Sequence, residues 1–433
     1  MTGRTPPAMA RRFGIALAAL ALAATACTSG EAETQGGGTG TAADAEPVEL
    51  AITPGDGAEE VEPNSPVRVT AEGGVITDVQ VEQASVNEAA AAEGEEEGDP
   101  LAMTGTLNGE GTEWTSDWTL HPGSEIVVTA TAENEAGETT ELVHEFTTLA
   151  ATPGQRLELA SNFPTSGQTV GVGMPIVINF DLPVTNKAQV ENSMEVVSEQ
   201  GIEGAWNWTS DKTAVFRPKE YWEPHQSVTV DMHLAGVEAS EGVYGVSDHQ
   251  LEFEVGRELV ATMHVPDHEM VITIDGAQER TIPVSNGQAS RRFDTTSSGV
   301  HVLMERYEHL TMDSSTVGIP EGSPGSYNVD VMYAVRTSNS GEFVHEASYN
   351  GSIGSANTSN GCTNLRMDDA RWFFENTLMG DVLETTGTDR EFEWNNGWGF
   401  WQRSWDEWLS NSATGEPQVT DGSGTPGAVH GEQ

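Results

Sequence analysis

Ser359-Asn360-Gly361-Cys362-Thr363-Asn364 holds one of only two cysteines in the 433-residue chain. Small and amide side chains and a glycine surround the thiol, which is loop composition rather than core composition. A free thiol is mostly protonated near neutral pH, so a nucleophilic cysteine needs a base or a positive end nearby. A helix is expected from Met367 to about Leu378, where Ala370, Phe373, Phe374 and Leu378 recur at helical spacing. Asp368 and Asp369 suit its first turn and Gly380 its stop, and its N-terminus begins close enough to favour a thiolate. A glycine turn can also aim backbone N–H groups at a developing oxyanion. The candidate base is His345, in the strand-like run Gly341-Glu-Phe-Val-His345, and the Gly/Ser/Asn-rich segment between can fold back to bring imidazole to sulfur.

The other cysteine lies in a different setting. Arg11-Arg12 precede an apolar run from Phe13 to Ala26 and then Cys27, the pattern of a secretory leader too short to span a bilayer with confidence. Ala24-Thr25-Ala26-Cys27 resembles a lipobox, although Ala24 stands where Leu is usual, so lipidation of Cys27 and an extracytoplasmic, membrane-anchored location are expected. With Cys27 lipidated or removed, Cys362 has no partner in its own chain. That leaves a reactive thiol, an intermolecular bridge or a small buried hydrophobe, and composition does not choose. The 68 Asp and Glu against 19 Lys and Arg, a net charge of −49, argue against nucleic acid and anionic membrane surfaces as partners.

The expected organisation is a leader over 1–27, a tether over 28–46 and two immunoglobulin-like modules over 47–150 and 151–258. In the first, Val48-Glu-Leu-Ala-Ile52, Val67-Arg-Val-Thr70, Ile126-Val-Val-Thr129 and Glu141-Leu-Val-His-Glu-Phe146 read as short strands, with the acidic stretch from Ala90 to Pro100 as an inserted loop. In the second, Pro175-Ile-Val-Ile-Asn-Phe180, Ser227-Val-Thr-Val-Asp231 and Leu251-Glu-Phe-Glu-Val255 repeat that design. His225, His233 and His249 are scattered, so no metal site is expected. From 259 the texture changes: Met270-Val-Ile-Thr-Ile274, Asp275-Gly276 and Ile282-Pro-Val-Ser read as strand, turn and partner strand. Five tryptophans from Trp394 to Trp408 are expected to pack a 387–411 segment onto the 259–386 domain. The Gly/Pro/Thr/Ser-rich 412–433 reads as a disordered tail. The fold class is therefore mainly β, with a short helix and a Trp-rich end.

The segment from Met270 to Thr386 resembles the L,D-transpeptidase catalytic domain, also called the YkuD domain. That family's signature is a histidine, a gap, then Ser/Thr-His-Gly-Cys, a variable residue and Asn; here it runs His345, gap, Ser359-Asn360-Gly361-Cys362-Thr363-Asn364. Further marks are Met312-Asp313-Ser314-Ser315-Thr316, Ser340-Gly341, Asp368 to Phe374 and Gly380-Asp381-Val382. The chain is similar to the actinobacterial form, with two preceding immunoglobulin-like domains. The module with Val170-Gly-Val-Gly-Met-Pro and Tyr221-Trp222 looks like its second, and the Trp-rich end looks like its C-terminal subdomain.

The resemblance implies that Cys362 attacks a peptidoglycan stem peptide, that His345 takes the thiol proton, and that a second stem's amine resolves the thioester into a 3→3 cross-link. It implies no cofactor and no metal. It also implies acylation by carbapenem-type β-lactams and a place facing the cell wall. By the same resemblance Tyr327 flanks the oxyanion site together with Gly361 and Cys362. Ser340, Gly341 and Asn364 would contact substrate, and Met312 would line the pocket. The motif histidine is Asn360 here, which hydrogen-bonds but cannot titrate near neutral pH. Residue 346 is Glu, and a carboxylate beside the base would raise its pKa. Two other readings stay open: a catalytically weakened wall-binding protein, and the same thioester passed to water or to a protein amine.

Overall fold

The computed structural model describes residues 46–85, 103–317, 319–323, 326–422 and 429–430. The leader, Cys27, the tether up to Ala45 and the acidic stretch from Ala90 to Pro100 lie outside the described residues.

Alternation of apolar and polar residues builds the first sandwich. Along Ser124–Glu133, Ile126, Val128, Ala130 and Ala132 face inward while their neighbours face out. This strand lies between Val75–Ser85 and Thr139–Thr147. The opposing sheet holds Glu49–Thr53, Arg68–Glu72, Glu113–Ser116 and Gly105–Leu107, and both contribute to one core around Val69, Leu120, Ile126 and Val128.

The second sandwich has a larger core, in which Trp206, Phe216, Trp222 and Phe253 are fully or almost fully buried among Met174, Ile176 and Ile178. Its loop Val170–Met174 docks onto the next domain through backbone hydrogen bonds, Gly171 N–H donating to Met379 O at 2.8 Å and Gly173 N–H to Gly380 O at 2.9 Å, and Val382 joins its core. A Cβ on Gly171 would stand 2.2 Å from the Asp381 nitrogen, so only glycine allows this approach.

The third domain carries a five-stranded sheet, Ala277–Pro283, Glu269–Ile274, Leu259–His264, Val382–Thr386 and Gly299–Val302. A four-stranded sheet follows, Arg306–Asp313, Asn328–Arg336, Phe343–Glu346 and Thr363–Leu365. The helix Met367–Asn376 buries Ala370 and Phe373 against the second sheet. It ends two residues earlier than its pattern predicts, because Thr377 is extended and both its N–H and its hydroxyl donate to Phe373 O.

At the C-terminus one expectation holds only in part and another is corrected. The tryptophans pack mainly on the second sandwich: Trp408 is buried with Val177, Ala205 and Val215, and its indole N–H donates to Ala205 O at 2.9 Å. The Arg217 guanidinium lies 4.6, 5.5 and 4.9 Å from the rings of Trp401, Trp405 and Trp408. The rest of the 387–411 segment does pack on the third domain as expected: the Phe392 ring stacks on His301 at 4.0 Å, Arg390 meets the buried Glu342, Asn396 bonds Ser340 and Gln402 donates to Val300 O. The 412–433 tail is ordered where it is described, because its partners lie far away in sequence. The buried Glu191 carboxylate accepts from Ala413 N–H, Thr414 N–H and Ser412 Oγ. Gln418–Val419 extends the sheet edge at Glu203 and Gly204, and the His430 imidazole lies between Asn64 O and Ser116 O.

Candidate active site

Two parallel strands place the reactive side chains. Phe343–Glu346 and Thr363–Leu365 pair with His345 opposite Asn364, so Cys362 enters at the start of the second strand beside His345. Gly361 makes the turn with φ +111°, a conformation glycine adopts freely. Side chains from elsewhere pin the loop: Thr296 Oγ1 donates to Gly361 O at 2.7 Å and Ser359 Oγ to Cys362 O at 2.5 Å.

Met312, Tyr327, Val329, His345, Tyr349, Asn350, Thr358, Ser359, Asn360, Cys362 and Asn364 line one cavity of about 430 Å³. One wall is apolar and aromatic, the other rich in amides. A wider cleft of about 890 Å³, between Val265–His268, Gly287–Thr295 and Gly387–Glu393, contains neither Cys362 nor His345.

The thiol and the imidazole share this cavity but are not bonded to each other among the described residues. Cys362 Sγ donates to Gly341 O at 3.6 Å. His345 Nδ1 donates to Glu346 O at 2.7 Å, and Nε2 accepts from Asn364 Nδ2 at 3.0 Å. Burial pushes the Cys362 thiol up to about 12, and burial holds His345 below the ordinary histidine value, outweighing the Glu346 carbonyl and charge. The resting pair is therefore neutral thiol and neutral imidazole. Glu346 does not produce the raised histidine expected of it; its carboxylate accepts from Ser348 N–H at 2.6 Å.

The helix does not supply the positive end expected of it. The strand Thr363–Leu365 intervenes, about 10 Å of extended chain, and the Met367 N–H is taken by Ser348 Oγ.

The structure brings Tyr327, Asn360 and Asn364 to the cavity with Cys362 and His345, and Met312 lines it too. Burial, with the Cys362 charge second, pushes the Tyr327 phenol up to about 12, so it stays a proton donor. Asn360 is exposed at the rim. Gly341 reaches the site through its carbonyl. Ser340 does not: it lies outside the cavity, its Oγ accepting from Asn396 Nδ2 at 2.9 Å and its N–H donating to Asn396 Oδ1 at 2.8 Å. The Gly361 N–H donates to Ser359 Oγ at 3.2 Å, leaving Tyr327 and the Cys362 N–H as the candidates for an oxyanion.

Sequence reasoning missed Tyr349, Asn350 and Thr358. They lie in the Gly/Ser/Asn-rich segment whose composition says only that it can fold back. It also missed the buried Glu342, which meets Arg390 at 2.6 Å and accepts from Ser297 Oγ at 2.8 Å directly beside Gly341.

Two family profiles match the chain, one described as bacterial Ig domain over residues 58–238 and one as L,D-transpeptidase catalytic domain over residues 259–385. L,D-transpeptidase 2 of Mycobacterium tuberculosis is 32% identical over 360 residues, covering 83% of this chain and 83% of its own. L,D-transpeptidase 5 of the same species is 33% identical over 258 residues, 58% of this chain and 55% of its own. Among solved structures, L,D-transpeptidase 3 of Mycobacterium tuberculosis in complex with a faropenem-derived adduct is 28% identical; the match covers 54% of this chain and 100% of that one, with a TM-score of 0.45.

Proposed function

Because this chain belongs to the L,D-transpeptidase family, we propose that Cys362 is its nucleophile and that it joins peptidoglycan stems by 3→3 cross-links through a thioester. The thiol proton passes to His345 Nε2 as sulfur bonds to the carbonyl carbon of the third stem residue. The C–N bond to D-alanine then breaks, and the proton leaves on the D-alanine amine. The side-chain amine of a second stem attacks the thioester, giving the new amide and returning the thiol. Tyr327 and the Cys362 N–H donate to the oxyanion in both halves.

The observation that carries this reading is the cavity in which a lone thiol, an unprotonated imidazole nitrogen and a phenol donor converge. The same thiol opens a β-lactam by acyl transfer, so carbapenem-type β-lactams are expected to acylate it. In this reading Cys27 carries a lipid anchor, and the two sandwiches hold the site out toward the wall.

Two observations favour a second reading, a catalytically weakened wall-binding protein: Asn360 replaces the motif histidine, and thiol and imidazole each bond elsewhere. The test is incubation of the purified protein with tetrapeptide stems, followed by mass and fragmentation of the products. A stem dimer with free D-alanine, absent with Cys362→Ala, supports cross-linking. Tripeptide alone assigns the thioester to water. No product on folded protein favours the wall-binding reading.

A further inference from the structure

We infer that Asn350 is a positioning residue that, through Asn364, keeps Nε2 of His345 as a hydrogen-bond acceptor ready for the thiol proton. This rests on the reading of His345 as base. The hydrogen-bond series starts at a backbone N–H, which can only donate, and ends at a backbone carbonyl, which can only accept. Asn350 receives the Ser352 N–H at 2.9 Å and the Thr358 hydroxyl at 3.2 Å on one atom, which must therefore be its oxygen. Its Nδ2 then faces Asn364 at 3.0 Å, and the atom it meets must be Oδ1. Asn364 is thereby left with Nδ2 toward His345 Nε2, also at 3.0 Å, and that ring nitrogen must be bare. On the far side Nδ1 faces Glu346 O at 2.7 Å and must carry the proton. The tautomer of the base is thus set by two amides acting in series.

Protonating Nε2 in this state would set N–H against N–H. Relief requires Asn364 to turn over, which requires Asn350 to turn over, which breaks the bond from Ser352. Asn364 lies in the cavity wall, so a bound peptide carbonyl competes for its Nδ2 and frees Nε2 for the thiol. The titratable groups around this imidazole are Glu346 on its own strand, Cys362 before the partner strand, and Tyr327 and Tyr349 in the cavity lining. None of them fixes the orientation of Asn364.

The inference makes an unusual demand: the isosteric Asn350→Asp should be worse than the truncating Asn350→Ala. A carboxylate accepts only, so it reverses Asn364 and presents Oδ1 to Nε2, which favours the protonated ring. Alanine merely releases Asn364. The experiment measures kcat and KM against pH for the parent and both variants, with ring-nitrogen NMR of His345 assigned by a His345→Gln spectrum. Expected are a parent ring with bare Nε2 at neutral pH and, in Asn350→Asp, an apparent imidazole pKa higher by about one unit or more. The acid limb of kcat/KM should move with it and the loss should fall on kcat, whereas Asn350→Ala should lose less and keep the parent limb. A parent ring protonated on Nε2, superimposed NMR titrations, or Asn350→Ala as damaging as Asn350→Asp would overturn the inference. Because NMR reads the ring without turnover, an inactive protein with the expected titrations would keep this inference and remove the transpeptidase reading.

Discussion

Asn364 Nδ2 stands 3.0 Å from His345 Nε2 and occupies the lone pair to which the proposed mechanism sends the Cys362 proton. The thiol meanwhile rests on Gly341 O. The resting site is capped, with both partners neutral, and such bonds commonly realign only when substrate binds.

The pH profile follows from the two shifts. His345 lies below the ordinary histidine value, so its base form persists to lower pH than that of a free imidazole. The acid limb of kcat/KM is expected below about pH 6.5. The Cys362 thiol, pushed up to about 12, should alkylate slowly with iodoacetamide at neutral pH and faster as pH rises. A limb above the ordinary histidine value, or fast alkylation of the unliganded protein at neutral pH, would contradict this.

Tyr327→Phe removes one proposed oxyanion donor and keeps the ring. We expect kcat to fall about 100-fold with KM within a few-fold of the parent. The Tyr327 ring packs against the core cluster that includes Met312 and Phe343, so stability should change little; steady-state kinetics and a melting curve check both.

Asn360→His restores the family's motif at an exposed position whose loop is held by Ser359 and Thr296 instead. Turnover should rise several-fold and Tm should not move. An unchanged rate would mean that the residue does not limit catalysis.

Deleting residues 412–433 strips the buried Glu191 carboxylate of its bonds from Ser412, Ala413 and Thr414. Leaving such a group under-satisfied should cost about 1–3 kcal/mol or more, read as a lower Tm. Trp408→Ala should cost about 3–5 kcal/mol, because its ring fills the space between Val177, Ala205 and Val215. A truncated protein with the parent's Tm would show that the tail adds nothing.

Much of the site was legible because its members carry local signals. Cys362 sits in a Gly and amide loop, His345 in a strand, and Asn364 within the same motif. Strand alternation likewise made the two sandwiches readable. What escaped depends on contacts distant in sequence. Ser340 matches a substrate-contacting position, yet Asn396 takes its side chain. Asn350 carried no signal of its own, because its effect arises only once Ser352 and Thr358 fix its amide. The tail looked disordered by composition, and its described residues are ordered by distant partners such as Glu191 and the sheet edge at Glu203.

The central claim is that Cys362 is an activatable nucleophile despite Asn360. The most direct measurement is the intact mass of the purified protein after incubation with a carbapenem, beside a Cys362→Ala control. One stoichiometric adduct is expected on the parent and none on the control. No adduct on folded parent protein, or an equal adduct on the control, would contradict it.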